Sequence, residues 1–352
     1  MTSNTPVLEV RNLKKYFSQT TSFLDSLRGK EEPPIQAVDN VSFTLGRNES
    51  IGVIGESGCG KTTLLETLMG LNEPTDGQIL FKGRDISDFD RSDWKSFRRN
   101  VQIIFQDPFN SLDPKMTINE TLLEPLKIHG IDDHDRRIRD VLERVELDPP
   151  ERYRDRRPRQ LSGGEKQRVS IARALILEPD LILADEPVSM LDVSTQAAVL
   201  NLLEDQIEQS DVSMLYISHD LSTVSYICQA IHVMYLGRFV ESAPTNTLLS
   251  EPKHPYSQKL IEAIPIPDPH TNRERTQLEG APQTPVNLNS GCRFRDRCPE
   301  SMEVCGTRPD DVGLEADDQH EVACHLYYDH HGREDESLTT PPAVETNGRS
   351  VR

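Results

Sequence analysis

The sequence predicts an α/β fold, a mostly parallel sheet with helices on both faces. Two features carry that expectation. Short apolar runs such as "SIGVIG" (50–55), "LILAD" (181–185) and "SMLYIS" (213–218) alternate with longer segments of helical periodicity. The first run also passes through a glycine-rich turn straight into a helical pattern, "KTTLLETLMGL".

In chain order, residues 7–11 and 37–45 read as strands. The polar insertion "SQTTSFLDSLRGKEEPPIQ" lies between them as the excursion of a hairpin. After the buried strand at 50–55 and its helix, "GQILFKG" and "VQIIF" supply two further strands. Residues 117–128 and 134–145 read as helices. So does 162–177, opened by Ser162 with Glu165 three positions on, a capping box. Strand 181–185, a helix at about 194–209 and strand 213–218 follow. "AIHVMYLGRFVES" reads as two short strands turning at Gly237, and helices near 245–250 and 255–263 close a first domain, residues 1–265. Residues 266–330 read as a small irregular module, Pro-rich at first and carrying four cysteines. Residues 331–352 are polar and read as a disordered tail.

Composition bounds the partners. The net charge is −19, from 58 acidic and 39 basic residues, of which only 11 are Lys. An acidic excess this dispersed suits the solvated surface of a halophile's protein, since at 1 M salt charges are screened beyond ~3 Å. No basic patch offers a nucleic-acid footprint. No run of 18 apolar residues predicts a membrane span. The N-terminus lacks the charged start and apolar stretch of a secretory signal, so a cytosolic protein is expected.

"GESGCGKTT" (55–63) fits G-x-x-x-x-G-K-T between a strand and a helix, the context of a phosphate-binding loop. Gly55, Gly58 and Gly60 let backbone N–H groups turn toward phosphates, with Glu56, Ser57 and Cys59 between them and Thr63 following. Lys61 is placed to reach the β- and γ-phosphates and Thr62 to hold Mg²⁺ through its hydroxyl. Cys59 reads as a space-filler, with a pKa lowered by the helix N-terminus as the other reading. In "LILADEP" (181–187), Asp185 is placed to bind Mg²⁺ directly or through water, and Glu186 to polarise an attacking water. "LSGGEKQR" (161–168) sets Gly-Gly at a helix start, a second nest for anions.

In this order and separation the three motifs resemble those of the ATP-binding subunit of ABC transporters, over residues 7 to about 242. The resemblance implies ATP and Mg²⁺ as cofactors, an antiparallel β subdomain and a helical subdomain. It also implies roles for further positions. Phe17 of "LKKYF", with Tyr16 as runner-up, stacks on adenine. Gln106 of "IIFQDP" contacts Mg²⁺ and the water. Asp192 of "SMLD" is the D-loop aspartate, and His219 of "YISHD" contacts the γ-phosphate. Two such domains face each other head to tail, so Ser162, Gly163 and Gly164 act on the partner's nucleotide. Hydrolysis is then phosphoryl transfer to water, achieved mostly by positioning and charge stabilisation.

Two longer segments, "FQDPFNSLDPKMTINETLLEPL" (105–126) and "EPKHPYSQKLIEAIP" (251–265), resemble the oligopeptide/dipeptide importer branch, which also includes nickel importers. The 18–36 insertion is similar to that of the second ATPase of such importers. The partners so implied are a homologous ATPase, two membrane permeases and, indirectly, an extracytoplasmic solute-binding protein, with the subunit at the cytoplasmic face of the membrane. Rival readings are a soluble ABC ATPase acting on nucleic acid or ribosomes, an exporter ATPase, and an ATPase gated by a redox-sensing module. The first would carry a second cassette, a coiled-coil insertion or a basic arm, none of which is evident. The resemblance to an exporter would stop near residue 240.

Cys292, Cys298, Cys305 and Cys324 have spacings C-x5-C-x6-C-x18-C. A disulfide framework does not suit a reducing compartment, whereas a metal staple suits a small segment without a core. Zinc sites favour C-x2–4-C pairs; iron–sulfur clusters take four Cys at variable spacing. The run is similar to the one that follows the ATPase domain in the peptide-importer family, where some members are associated with a 4Fe–4S cluster. A 4Fe–4S cluster, or zinc, is therefore expected, with Arg293, Arg295 and Arg297 offsetting its charge and His320 and His325 as spare ligands. Cys228, on an apolar helix, reads as core.

Overall fold

Strands buried on both faces form the centre of the molecule. The structure, a computed structural model, describes residues 5–19, 33–107, 111–263, 286, 288, 291–313 and 319–330. Its strands are β1 (Leu8–Phe17), β2 (Ile35–Leu45), β3 (Ser50–Ile54), β4 (Asp76–Phe81), β5 (Arg84–Asp85), β6 (Val101–Ile104), β7 (Leu181–Asp185), β8 (Ser213–Ser218), β9 (Ala230–Tyr235), β10 (Arg238–Pro244), β11 (Val312–Gly313) and β12 (Glu321–Val322). The helices are α1 (Lys61–Leu68), α2 (Arg91–Asn100), α3 (Ile118–His129), α4 (His134–Arg144), α5 (Glu151–Arg154), α6 (Gly163–Leu175), α7 (Val193–Ser210), α8 (Leu221–Ile227), α9 (Thr245–Ser250) and α10 (Pro255–Glu262).

The larger sheet has the order β11-β12-β10-β9-β3-β8-β7-β6. From β9 through β3, β8 and β7 to the edge strand β6 the strands pair in parallel. Every residue of β3 and β8 is buried, which is why these runs are continuously apolar rather than alternating. A second, antiparallel sheet has the order β2-β1-β4-β5. One hydrophobic cluster fills the space between the two sheets around α1, with Val10, Val38, Val53, Leu64, Leu65 and Leu215. Phe97 of α2 packs into the same cluster, and another cluster joins helices such as α3, α4, α6, α7 and α8 to the large sheet.

The parallel core and the helix order follow the sequence expectation, and three differences have local causes. Strand β1 runs to Phe17 instead of stopping at residue 11, because bulges beside Asn12 (φ 47°) and Lys15 absorb the break in alternation made by "RNLKK". Helix α2, absent from the sequence reading, is opened by a capping box between Asp90 and Asp93. The C-terminal residues also borrow their core instead of lacking one. Strand β12 pairs with β10, so this module continues the larger sheet. Phe294 is buried against Tyr235 and Tyr256, and Val322 is fully buried. The expectations for most of the 18–36 insertion and for 331–352 lie outside the described residues. No helix among the described residues is long and apolar enough to cross a membrane.

Candidate active site

The glycine-rich turn leaves β3 and closes on the start of α1. At Gly60 the backbone is left-handed (φ 110°), and a Cβ there would stand 2.0 Å from the Ala37 carbonyl oxygen, so only glycine fits. Lys61 is buried and donates to the carbonyls of Gly55 (2.6 Å) and Glu56 (3.1 Å). Cys59 is buried under the loop, and burial pushes its thiol up despite nearby Lys61, so the space-filling reading holds and the lowered pKa does not.

Around this loop lies a cavity of about 770 Å³. Its walls bring together Phe17, the loop residues 55–58 and 60–63, Gln106, Asp185, Glu186 and His219, drawn from five separate segments of the chain. Cys59 lies beneath them. Phe17, not Tyr16, faces the cavity; the Tyr16 hydroxyl donates to Asp39 Oδ1 at 2.6 Å. Ile35, Ala37 and Leu260 also line it, and the sequence reading missed them. Leu260 sits in "KHPYSQKL", a segment singled out for its resemblance but not as a wall of this cavity.

The acidic end of β7 is tightly organised. Glu186 has a left-handed backbone (φ 45°), fixed by its N–H donating to the Ile217 carbonyl at 2.8 Å. Its Oε2 accepts from Gln106 Nε2 at 2.9 Å, and its Oε1 lies 2.7 Å from His219 Nδ1. Burial pushes the Asp185 carboxyl up to about 6, and the neighbouring charge of Glu186 adds to the rise against the pull of Lys61. Two carboxylates crowded beside a phosphate loop are a site that a divalent cation relieves. Thr62, Gln106 and Asp185 line the same cavity and fit Mg²⁺.

Ser162, Gly163, Gly164 and Asp192 are not in this cavity. Ser162 caps α6, accepting from Glu165 N at 3.2 Å while Glu165 accepts from Ser162 N at 2.7 Å. Gly164 lies against Thr195, and a Cβ on it would reach 2.5 Å from that side chain. Asp192 caps α7 through Thr195 and accepts from Ser194, bonds that hold its carboxyl down to about 2. Ser162 and Asp192 are exposed and Gly163 and Gly164 half-buried, in a segment of the surface apart from the cavity, with Met190 and Val193 exposed next to Asp192 in the chain.

The six cysteines are free thiols. Cys292, Cys298, Cys305 and Cys324 gather in the C-terminal module. Burial pushes Cys298 up to about 11 and Cys324 up to about 12, and the other thiols of the group add to both rises. Backbone N–H groups of Phe294, Glu300 and Leu326 reach Cys292, Cys298 and Cys324, and that of Met302 donates to Cys305 Sγ at 3.5 Å. Among the described residues, however, no three His, Cys, Asp or Glu side chains stand close enough to hold a metal ion. The supporting residues are committed elsewhere. Arg293 donates to Asp39 and Gln36, and Arg297 to Glu56. His320 meets Glu241, and His325 meets the Thr307 carbonyl. Cys228, just past α8, is core as expected.

A phosphate loop facing an acidic strand end across one cavity is the architecture of a nucleotide-hydrolysing domain, and the Ser-Gly-Gly helix start makes it an ATP-binding cassette. Residues 38–189 match the ABC transporter family, and residues 240–305 match the oligopeptide/dipeptide transporter C-terminal region. A putative peptide import ATP-binding protein of Brucella ovis is 47% identical over 308 residues, covering 87% of this chain and 93% of that protein. The oligopeptide transport ATP-binding protein AppF of Bacillus subtilis is 43% identical over 327 residues, covering 91% and 97%. Among solved structures, CbiO1 of Clostridium perfringens, part of the ABC transporter complex CbiONQ, aligns with a TM-score of 0.59 at 25% identity, covering 70% of this chain and 92% of that one. The dimeric post-hydrolysis cassette MJ0796, bound to ADP and Pi, aligns with a TM-score of 0.58 at 27% identity, covering 68% and 98%. The chain belongs to the ABC transporter ATP-binding family, in the branch of peptide-import ATP-binding subunits, and is an ATPase.

Proposed function

We propose that this subunit hydrolyses ATP to drive peptide import, at the cytoplasmic face of the membrane. There it pairs with a second, homologous ATPase and docks on two permeases served by an extracytoplasmic solute-binding protein. The observation that carries the reading is a phosphate-loop cavity walled by Gln106, Asp185, Glu186 and His219, in a chain whose residues 240–305 match the oligopeptide/dipeptide C-terminal region.

In this reading adenine stacks on Phe17 and the phosphates lie along residues 55–63. Lys61 exchanges its two loop carbonyls for phosphate oxygens. Magnesium, held by Thr62, Gln106 and Asp185, supplies charge neutralisation at the phosphates. Glu186 accepts a proton from the attacking water, while Gln106 and His219 orient its two carboxylate oxygens. Ser162, Gly163, Gly164 and Asp192 complete the partner's site, which accounts for their exposure away from this chain's own cavity. The test is ATP hydrolysis by the assembled transporter with its binding protein. Stimulation by peptide supports the assignment; stimulation by nickel alone moves it to the nickel-import branch.

The finer reading of the C-terminal thiols as a 4Fe–4S or zinc site rests on the sequence run of Cys292, Cys298, Cys305 and Cys324 and on the backbone N–H groups aimed at their sulfurs, since the described side chains do not themselves stand at metal-holding distances. Iron, zinc and acid-labile sulfide on anaerobically purified protein decide it. Sulfide with iron supports the cluster, zinc alone a structural staple, and neither metal removes the reading.

A further inference from the structure

The cysteine module reaches the ATP site with two arginines, each next to a cysteine. Arg293, after Cys292, grips the wall near the expected adenine position. It donates to Gln36 Oε1 and to Asp39 Oδ2, residues that bracket Ala37 and Val38. Asp39 also receives the hydroxyl of Tyr16, the neighbour of Phe17. Arg297, before Cys298, grips the phosphate loop. Its Nη1 and Nη2 donate to Glu56 Oε2 (2.7 Å) and Oε1 (2.9 Å), a two-bond fork between residues 241 positions apart. The Arg297 side chain is only 6% exposed. Glu56 is pinned from a second side, its N–H donating to the Tyr256 hydroxyl at 2.9 Å.

Glu56 lines the cavity that holds Lys61. Without a counter-charge, its carboxylate would repel a triphosphate at short range and in a partly desolvated site, where screening is weak. The forked geometry fixes direction as well as charge, which a lysine would not do. We infer that Arg297 is a positioning residue of the ATP site, neutralising and orienting Glu56 so that the cysteine module sets the phosphate loop's affinity for nucleoside triphosphate. The inference depends on the P-loop being the nucleotide site, and a Lys61→Ala control separates the two.

The test is titration of the full chain with a fluorescent ATP analogue and Mg²⁺. Arg297→Met is expected to weaken binding about tenfold. Adding Glu56→Gln to it removes the unpaired carboxylate and is expected to restore most of that loss, a rescue that a purely structural role for Arg297 would not give. Affinity unchanged in Arg297→Met, or a double variant no better than Arg297→Met, overturns the inference. Should Arg297→Met not fold, Glu56→Gln carries the test alone. It leaves the Arg297 charge free beside the phosphates and should tighten binding about threefold or more; unchanged or weaker binding overturns the inference. If the wild-type chain binds no more tightly than Lys61→Ala, the site assignment fails instead.

Discussion

The Nδ1 of His219 stands 2.7 Å from Oε1 of Glu186, so that, with Gln106 on the other oxygen, both carboxylate oxygens of Glu186 have a partner that fixes their direction. Each oxygen keeps a second lone pair with which an attacking water can be held. Glu186→Gln keeps the shape and loses the base. It is expected to bind ATP normally and to lower hydrolysis at least about a hundredfold. Steady-state hydrolysis and nucleotide binding in the assembled transporter check this; wild-type turnover in the variant would remove Glu186 from the role of base.

Lys61 is buried, and its charge is satisfied by two loop carbonyls. Lys61→Ala removes the one cation that Gly55 and Glu56 hold within the loop. The variant is expected to lose the rise in unfolding temperature that ATP and Mg²⁺ give the wild-type chain, since a ligand stabilises only what it binds. A full ATP-dependent rise in the variant would place the phosphates elsewhere.

Why were these residues readable in the sequence when the module's attachment was not? The phosphate loop, the β7 end and the Ser162–Glu165 cap are local patterns, in which a turn, a strand or a helix start dictates the residue types within a few positions. Strand β12 is two residues long, and no periodicity can mark so short a segment. The Arg297–Glu56 fork joins residues 241 positions apart, so sequence reading assigned the nearby arginines to the cysteines beside them. Tyr256 and Leu260 lie in "KHPYSQKL", a segment legible only as a resemblance, and packing alone reveals that Tyr256 holds the phosphate loop and that Leu260 walls the cavity.

One half-buried and one buried histidine predict an acid limit to stability. His232 stacks on Phe239 at 4.6 Å, and His254 accepts from Tyr256 N at 3.0 Å. Burial lowers both rings from 6.5 to about 4. Between those values the unfolded chain binds protons that the folded chain refuses. Stability should therefore fall as pH drops from about 6.5 to about 4, by up to about 1.4 kcal/mol per pH unit for each ring. His232→Phe keeps a ring against Phe239 and removes its titration, so its stability should depend less steeply on pH in this window. Denaturant unfolding from pH 4 to 7 measures the slopes; equal slopes would mean that the folded chain does not exclude the proton from His232.

The docking of the C-terminal module depends on a carboxylate with no access to water. Glu241 accepts from the backbone N–H groups of Lys253 and His254, each at 2.8 Å, and meets His320 Nε2 at 2.8 Å. It lies on β10 opposite Val322 of β12, so the His320 contact fastens the added strands at their point of entry. His320→Leu fills the space but leaves the carboxylate one partner short. Both oxygens keep a backbone donor, so the expected cost is that of one lost hydrogen bond to a charged group, about 1.5–3 kcal/mol. Because strands β11 and β12 have few other backbone bonds, the cost should fall on them first, seen as faster amide hydrogen exchange over residues 319–327 before any change in β3 or β8. His320→Gln, whose amide can donate to Glu241, should recover most of the loss. A shape-filling role alone predicts the reverse order, with leucine tolerated better than glutamine, so the ranking of the two variants decides whether the hydrogen bond or the packing holds the module to the sheet.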